Sequence, residues 1–322
     1  MTRPIVTVTR RLPAIVEEEL RDSFDLRLNE DDLPLARAEL RRALESSDAL
    51  LCTVTDPLDR TALGAAPIRA RILANFGVGF NHIDVGAAQA LGLVVTNTPG
   101  VLTEATAELA VTLMLMVARR VTEGERELRA GKWTGWRPTH LIGRGLGGRT
   151  LGIVGMGRIG RSVARRAATG LDMHVRYFTR TARKDDEALG QRCESLAELL
   201  ATSDVVSLHA PATAATRRMI GAEQLRQMRR DAVLINTARG DLVDEEALAD
   251  ALIEGVVHGA GLDVYAHEPA VHPRLLRAGN VVLLPHLGSA TEEARIGMGR
   301  RAMANLRAFF DGAAPPDLVA AP

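Results

Sequence analysis

Short apolar runs alternate with longer amphipathic stretches along most of the chain, and turn-forming glycine, proline or polar residues separate them. Runs this short predict buried strands, and the helical periodicity between them predicts crossover helices. In the first hundred residues strands are expected at 5–9, 50–54, 71–74 and 93–96, with a helix at 35–46. Asn97-Thr98-Pro99-Gly100 then breaks the pattern. A long helix is expected over 103–120, with Glu104 and Glu108 near its start and Arg119-Arg120 at its end, the charge order that a helix dipole favours. After a connection rich in glycine and tryptophan, 131–148, further strands are expected at 150–154, 174–178, 205–209, 232–236, 259–264 and 281–284. A last amphipathic helix spans 291–310, and Ala313-Ala314-Pro315-Pro316 is expected to fray. The alternation predicts an α/β protein built on doubly wound parallel sheets.

Composition narrows the setting. A chain of 322 residues exceeds one typical domain, and 46% hydrophobic with 25% charged residues supplies two ordinary soluble cores. Forty basic and forty acidic side chains cancel, so neither nucleic acid nor a membrane surface is an expected partner. The most apolar stretch, 109–118, falls short of the roughly 20 residues that cross a bilayer and is expected to be a buried helix. Cys52 and Cys193 show no disulfide framework or metal-ligand spacing, so no metal is expected and a reducing compartment is. Met1-Thr2-Arg3-Pro4 leads into the first apolar run without a secretory pattern, which makes a cytoplasmic location the expectation.

Gly155-Met156-Gly157-Arg158-Ile159-Gly160 is a GxGxxG run placed between an expected strand and an expected helix, 161–168. In that context the first glycine makes the tight turn. The second admits a pyrophosphate and the third lets the helix pack on the strand. The helix amides and dipole then hold the anion. A ligand-free turn is the plainer alternative. After the next strand, an NAD site would place a carboxylate on the ribose. Here Thr179-Arg180-Thr181 follows, with Arg183 and Lys184 close behind. Asp172 precedes the strand, and Asp185 and Asp186 come later. Hydroxyl donors and a guanidinium suit a 2′-phosphate, so NADP(H) is favoured, with NAD(H) possible. A solvated basic turn is the alternative without a ligand.

Three polar groups follow strand-like runs: Arg239 after 232–236, Glu268 after 259–264 and His286 after 281–284. Ligands of open α/β sheets bind beyond the carboxyl ends of strands. Singly these residues read as loop or core-edge groups; together with the glycine loop they form a candidate catalytic set.

Several ordered segments carry a resemblance over nearly the whole chain. They are 75–84 (NFGVGFNHID), 97–103 (NTPGVLT), the glycine loop, 236–240 (NTARG), 259–264 (GAGLDV) with Glu268-Pro269, and 284–291 (LPHLGSAT). On these the chain resembles the D-isomer-specific 2-hydroxyacid dehydrogenase family. Gly288-Ser289-Ala290-Thr291, 75–84 and the Trp133–Trp136 connection are most similar to its glyoxylate and hydroxypyruvate reductase branch.

The resemblance implies two Rossmann-like domains. A nucleotide-binding domain, 99–288, would be inserted into a discontinuous flavodoxin-like substrate domain, 1–98 plus 289–322. It implies that Arg239 binds the substrate carboxylate and polarises the carbonyl, and that His286 is the general acid in reduction. Glu268 would orient the histidine and favour its imidazolium form. Amides of Val78 and Gly79 would clasp the carboxylate. Asp263 would touch the nicotinamide amide, and Thr103, His209, Pro211, Thr216, Thr237 and Gly288 would adjoin the cofactor. A homodimer through the cofactor domain is implied, with the 133–140 loop reaching towards the neighbouring site. The expected substrates are small 2-oxo or 2-hydroxy acids. The expected reactions take glyoxylate to glycolate and hydroxypyruvate to D-glycerate. Alternatives are a phosphoglycerate or D-lactate type dehydrogenase, or a non-catalytic NAD(P)H-sensing relative similar to transcriptional corepressors.

Overall fold

The computed structural model describes residues 3–64, 67–181 and 183–320; the expectations for Met1-Thr2 and for the last two residues lie outside these. The chain divides into two compact units, residues 1–102 with 290–322, and residues 103–289.

The first unit holds a five-stranded sheet of β1 (Ile5–Val8), β2 (Asp25–Leu28), β3 (Ala49–Cys52), β4 (Ile72–Asn75) and β5 (Val94–Thr96). All neighbours are parallel, in the order β2-β1-β3-β4-β5, which is the flavodoxin-like order. β3 and β4 are buried at every position, as strands covered by helices on both faces must be. The helix Glu292–Phe310 returns to this unit and lies so close to the helix Ala14–Arg21 that a Cβ on Gly299 would sit 2.4 Å from Val16.

Beyond that helix, the chain up to residue 319 is anchored rather than frayed. Asp317 is buried, takes two hydrogen bonds from Arg301 (2.6 and 2.7 Å) and one from Asn305 Nδ2 (3.2 Å). The Val319 amide donates to Val95 O at 2.8 Å, and Leu318 bridges Thr96 antiparallel. A small, proline-containing sequence carries no local signal of order, but these anchors use it to cover the otherwise open edge of β5.

The second unit holds β6 (Thr150–Val154), β7 (His174–Phe178), β8 (Gln191–Arg192), β9 (Val205–Leu208), β10 (Val233–Asn236), β11 (Gly259–Leu262) and β12 (Val281–Leu283). All are parallel, in the order β12-β11-β10-β9-β6-β7-β8. The chain therefore winds outward from β6 through β7 to β8, then restarts at β9 and winds the other way. This is the doubly wound dinucleotide-binding topology, with its switch point between β6 and β9. The helices Thr103–Ala118 and Arg158–Leu171 pack Leu113, Met114, Val163 and Ala167 on one face over Ile153 and Ile235. Leu199, Leu225 and Leu248 from three other helices cover the opposite face.

Two strands escaped the hydrophobic pattern, β2 and β8. Both are sheet edges; β2 is only half buried and both residues of β8 are exposed, so neither needs an apolar run. The long helix ends at Ala118, where Arg120 adopts a left-handed φ of 55° and a new helix, Val121–Arg129, begins. That helix buries no residue and so leaves no core-facing stripe in the sequence. The helix after the glycine loop runs over Arg158–Leu171, longer than the expected 161–168. Among the described residues no helix is long and apolar enough to cross a membrane.

Candidate active site

Each of the three candidate catalytic residues sits on a loop that leaves the carboxyl end of a buried strand. β10 ends in Asn236, which is 1% exposed. Its amide group donates to Arg239 O (2.8 Å) and accepts from the Ala238 amide (3.0 Å), so one buried side chain folds the whole turn. Gly240 follows because the backbone of 265–266 crosses there; a Cβ would lie 1.9 Å from Tyr265 C. Burial lowers the pKa of the Arg239 guanidinium, opposed by the charges of Glu268 and Asp241. Of these two carboxylates, Glu268 acts on Arg239 the more strongly.

Beyond β11, Glu268 Oε1 accepts from the Tyr265 amide at 2.9 Å, and Oε2 meets His286 Nδ1 at 2.7 Å. Burial pushes the Glu268 carboxyl upward, but the hydrogen bond and charge of His286, the Tyr265 amide and Arg239 outweigh it. The net result lies below the ordinary value. With Nδ1 engaged, Nε2 is the nitrogen of His286 left for a ligand.

His286 has a left-handed φ of 56°, a conformation that costs a residue with a Cβ about 1–3 kcal/mol. The neighbourhood enforces it. The His286 amide donates to Asp263 O (2.9 Å), the amides of Leu287 and Gly288 donate to the Asp263 carboxylate (2.6 and 2.8 Å), and Thr106 Oγ1 donates to Gly288 O (2.8 Å). Asp263 is fully buried. Each of its two carboxylate oxygens accepts from a loop amide, so Asp263 positions the histidine loop.

At the switch point Gly155 has φ 97°, and a Cβ there would lie 2.8 Å from the backbone of His209 and Ala210. A Cβ on Gly160 would lie 2.3 Å from Gly155 O, so helix and strand touch through these two glycines. Gly157 differs, since a Cβ there meets no described atom within 4 Å. Protein packing does not ask for glycine at 157, whereas an anion approaching the helix N-terminus does. Met156 turns into the core and Ile159 packs against it, so these two contribute backbone, while Arg158 is exposed.

The remaining candidates fall around the same sheet end. Thr237 is buried and its Oγ1 has no partner among the described residues. Thr216 Oγ1 donates to Pro211 O (2.7 Å), closing the 211–216 turn. Half-buried His209 holds Ser207 Oγ at 2.9 Å, and burial pushes its pKa down to about 4, so it is neutral. Thr103 opens its helix. Arg180 and Thr181 are exposed beyond β7, with Thr179 partly so; among the described residues Arg180 has no acidic partner. An open Cβ position at Gly157 and an orphaned Thr237 hydroxyl fit a dinucleotide.

In the first unit, the turn after β4 directs its carbonyls inward. Asn75 Nδ2 donates to Gly77 O and Gly79 O (3.0 Å each), and Asn97 Nδ2 donates to Val78 O (2.9 Å). The amides of Val78 and Gly79 donate to no acceptor among the described residues. Adjacent free amides make an anion-binding nest. Asn75 and Asn236 were missed as site-builders, although a lone asparagine closing an apolar strand was a readable signal in both places.

The family model described as D-isomer specific 2-hydroxyacid dehydrogenase, NAD binding domain, matches residues 111–288. The chain is 46% identical to the glyoxylate reductase of Korarchaeum cryptofilum over 321 residues, spanning 98% of this chain and 96% of that protein. A crystal structure of a Thermus thermophilus protein is 43% identical with a TM-score of 0.90, covering 98% of this chain and 100% of that one. The NADPH-dependent glyoxylate/hydroxypyruvate reductase of Sinorhizobium meliloti, solved with NADP and malonate, is 34% identical with a TM-score of 0.82. That match covers 99% of this chain and 97% of the other.

Proposed function

Because this chain belongs to the D-isomer specific 2-hydroxyacid dehydrogenase family, we propose that it reduces glyoxylate to glycolate and hydroxypyruvate to D-glycerate with NADPH. The observation that carries the reading is the 2.7 Å bond between His286 Nδ1 and Glu268, formed on strand-end loops with Glu268 charge-coupled to Arg239.

His286 is the general acid, delivering a proton from Nε2 to the carbonyl oxygen of the 2-oxo acid. Glu268 fixes the ring and stabilises its cationic form, and a positioned acid of this kind contributes roughly 10²–10⁴ in rate. Arg239 binds the substrate carboxylate and draws electron density from the carbonyl. In the first unit, the amides of Val78 and Gly79 suit a carboxylate. The nicotinamide, when bound, supplies hydride to C2. The glycine loop and the helix Arg158–Leu171 hold the pyrophosphate, with Thr103, His209, Pro211, Thr216, Thr237 and Gly288 alongside the dinucleotide.

Thr179, Arg180 and Thr181 take the 2′-phosphate. The buried acid nearby, Asp186, supports this assignment, because it has zero exposure and pairs with Arg161 at 2.5 Å instead of presenting a carboxylate to a ribose. The setting is a cytoplasmic homodimer joined through the second unit. Exposed Leu128, Trp133 (51%) and Trp136 (82%) favour subunit contact there, and two buried free cysteines suit a reducing compartment.

Oxidation of NADPH and NADH by the purified protein, followed across a panel of 2-oxo acids, tests the proposal. Turnover should be fastest with glyoxylate or hydroxypyruvate and NADPH. No turnover with any 2-oxo acid would overturn the enzymatic reading, and equal use of NADH would overturn the cofactor assignment.

A further inference from the structure

We infer that Asp186 and Arg161 form a latch that holds the 2′-phosphate turn against the pyrophosphate-binding helix, and so set the selectivity between NADPH and NADH. This rests on the cofactor reading above and adds two positioning residues to it.

Among the described residues, the turn 179–181 has little of its own to keep it in place. Its internal bond, Thr179 Oγ1 to Thr181 O, is 3.5 Å long, and Arg180 and Thr181 are exposed. A two-point guanidinium contact to a phosphate depends on fixed geometry, so an unsupported turn would bind at an entropic cost. The support lies a few residues on, in the short 3₁₀ turn Lys184–Asp186. Asp186 is the hub there. Its Oδ2 accepts from the Arg183 amide (2.8 Å), its own amide donates to Arg183 O (3.0 Å), and its carbonyl accepts from the Leu189 amide (3.0 Å). Its Oδ1 meets Arg161 Nη2 at 2.5 Å.

Arg161 stands on the helix Arg158–Leu171, and its amide donates to Gly157 O, the middle glycine of the loop (3.0 Å). One ion pair thus joins the helix that meets the pyrophosphate to the 3₁₀ turn that lies a few residues beyond the 2′-phosphate turn. Asp186 has no exposed surface and the Arg161 side chain is 20% exposed, so the pair is shielded from solvent and little screened by salt. The chemistry also explains why a carboxylate occurs in this turn at all. An acid facing the 2′ position would repel a phosphate, whereas one turned inward onto Arg161 does not.

The test removes both charges at once, so that the local net charge stays constant; the Arg183 amide also loses its Oδ2 acceptor, which Asp186→Asn below retains. In Arg161→Met/Asp186→Leu, apolar replacement of a buried pair should leave the fold intact; circular dichroism and melting check this. The KM for NADPH should rise roughly tenfold or more, the loss of about one charge-assisted contact. The KM for NADH should stay within about twofold, and kcat with saturating NADPH should change little. Amide hydrogen exchange of 179–181 in the cofactor-free protein should accelerate, which reads the latch without reference to any cofactor.

Unchanged exchange, or equal weakening of both cofactors, overturns the inference. A wild-type enzyme that prefers NADH would instead overturn the cofactor reading, and that result appears before any variant is made. If the double variant fails to fold, Asp186→Asn replaces it. It keeps an acceptor for the Arg183 amide and removes only the ionic link, and the same exchange and KM criteria apply.

Discussion

Replacing Glu268 with Gln changes one charge at nearly constant shape and probes how the candidate acid is made. In the wild-type protein one carboxylate serves two donors, the Tyr265 amide at 2.9 Å and His286 Nδ1 at 2.7 Å. A glutamine has one accepting oxygen, so either the amide or the imidazole must face its NH₂ group. The lost ionic part is moderate, because both side chains of the pair are 30% exposed. Two unit charges about 4 Å apart interact by ~4 kcal/mol near a protein surface and ~1 kcal/mol in bulk water. A half-exposed, charge-assisted hydrogen bond falls between these, at about 1.5–3 kcal/mol. At roughly 1.4 kcal/mol per tenfold, kcat for 2-oxo acid reduction near neutral pH should fall by about 10–100-fold.

Glu268→Asp keeps the charge on a shorter arm and should lose only part of kcat, through misorientation. Steady-state kinetics of both variants, with cofactor affinity measured separately, provide the assay. A Gln variant within about twofold of wild type is incompatible with the role given to Glu268.

Four other outcomes are expected. His286→Ala should lower kcat by roughly 10²–10⁴ with cofactor affinity retained, measured by single-turnover kinetics and cofactor titration. Arg180→Ala should raise the KM for NADPH about tenfold or more and that for NADH by less than about twofold, in parallel steady-state assays. Gly157→Ala should melt at nearly the wild-type temperature, since the new methyl meets no described atom within 4 Å, yet bind the dinucleotide at least roughly tenfold more weakly. Glu17 is buried and takes two bonds from Arg11 (2.9 Å each) and one from the Leu12 amide (2.9 Å). Burial opposes its ionisation, but these partners hold its carboxyl below the ordinary value. Its stabilisation is therefore present above the unfolded-state pKa and lost as the pH falls through the folded one. Glu17→Gln should lower Tm by roughly 4–8 °C near neutral pH, a difference that shrinks in acid; a gap independent of pH would contradict this.

Much of the second unit was legible because its signals are local. The apolar runs of β6, β9, β10 and β11 each sit between turn residues, and a strand buried on both faces must read that way. The spacing of Gly155, Gly157 and Gly160 encodes a turn and a helix start within six residues, and Arg239, Glu268 and His286 each lie a few residues past a strand. Strand-end position in a parallel sheet then brings them to one side, whatever the rest of the chain does.

Which residues stand at the carboxyl ends of strands, and which element types precede them, could thus be read along the chain. How those residues are held depends on packing between distant segments. That Asp263 braces the histidine loop carried no local mark, because its partners, the amides of Leu287 and Gly288, lie across a neighbouring strand. Nothing local told Asp186 from Asp185; Arg161, from a helix on another connection, lies against Asp186. The polar edges β2 and β8 and the covered tail at 317–319 followed the same rule. Hydrophobic period and turn chemistry act over a few residues and survive in the linear sequence. The choice of partner for a buried charge, a free amide or an open sheet edge is made between segments far apart in the chain, and only their meeting reveals it.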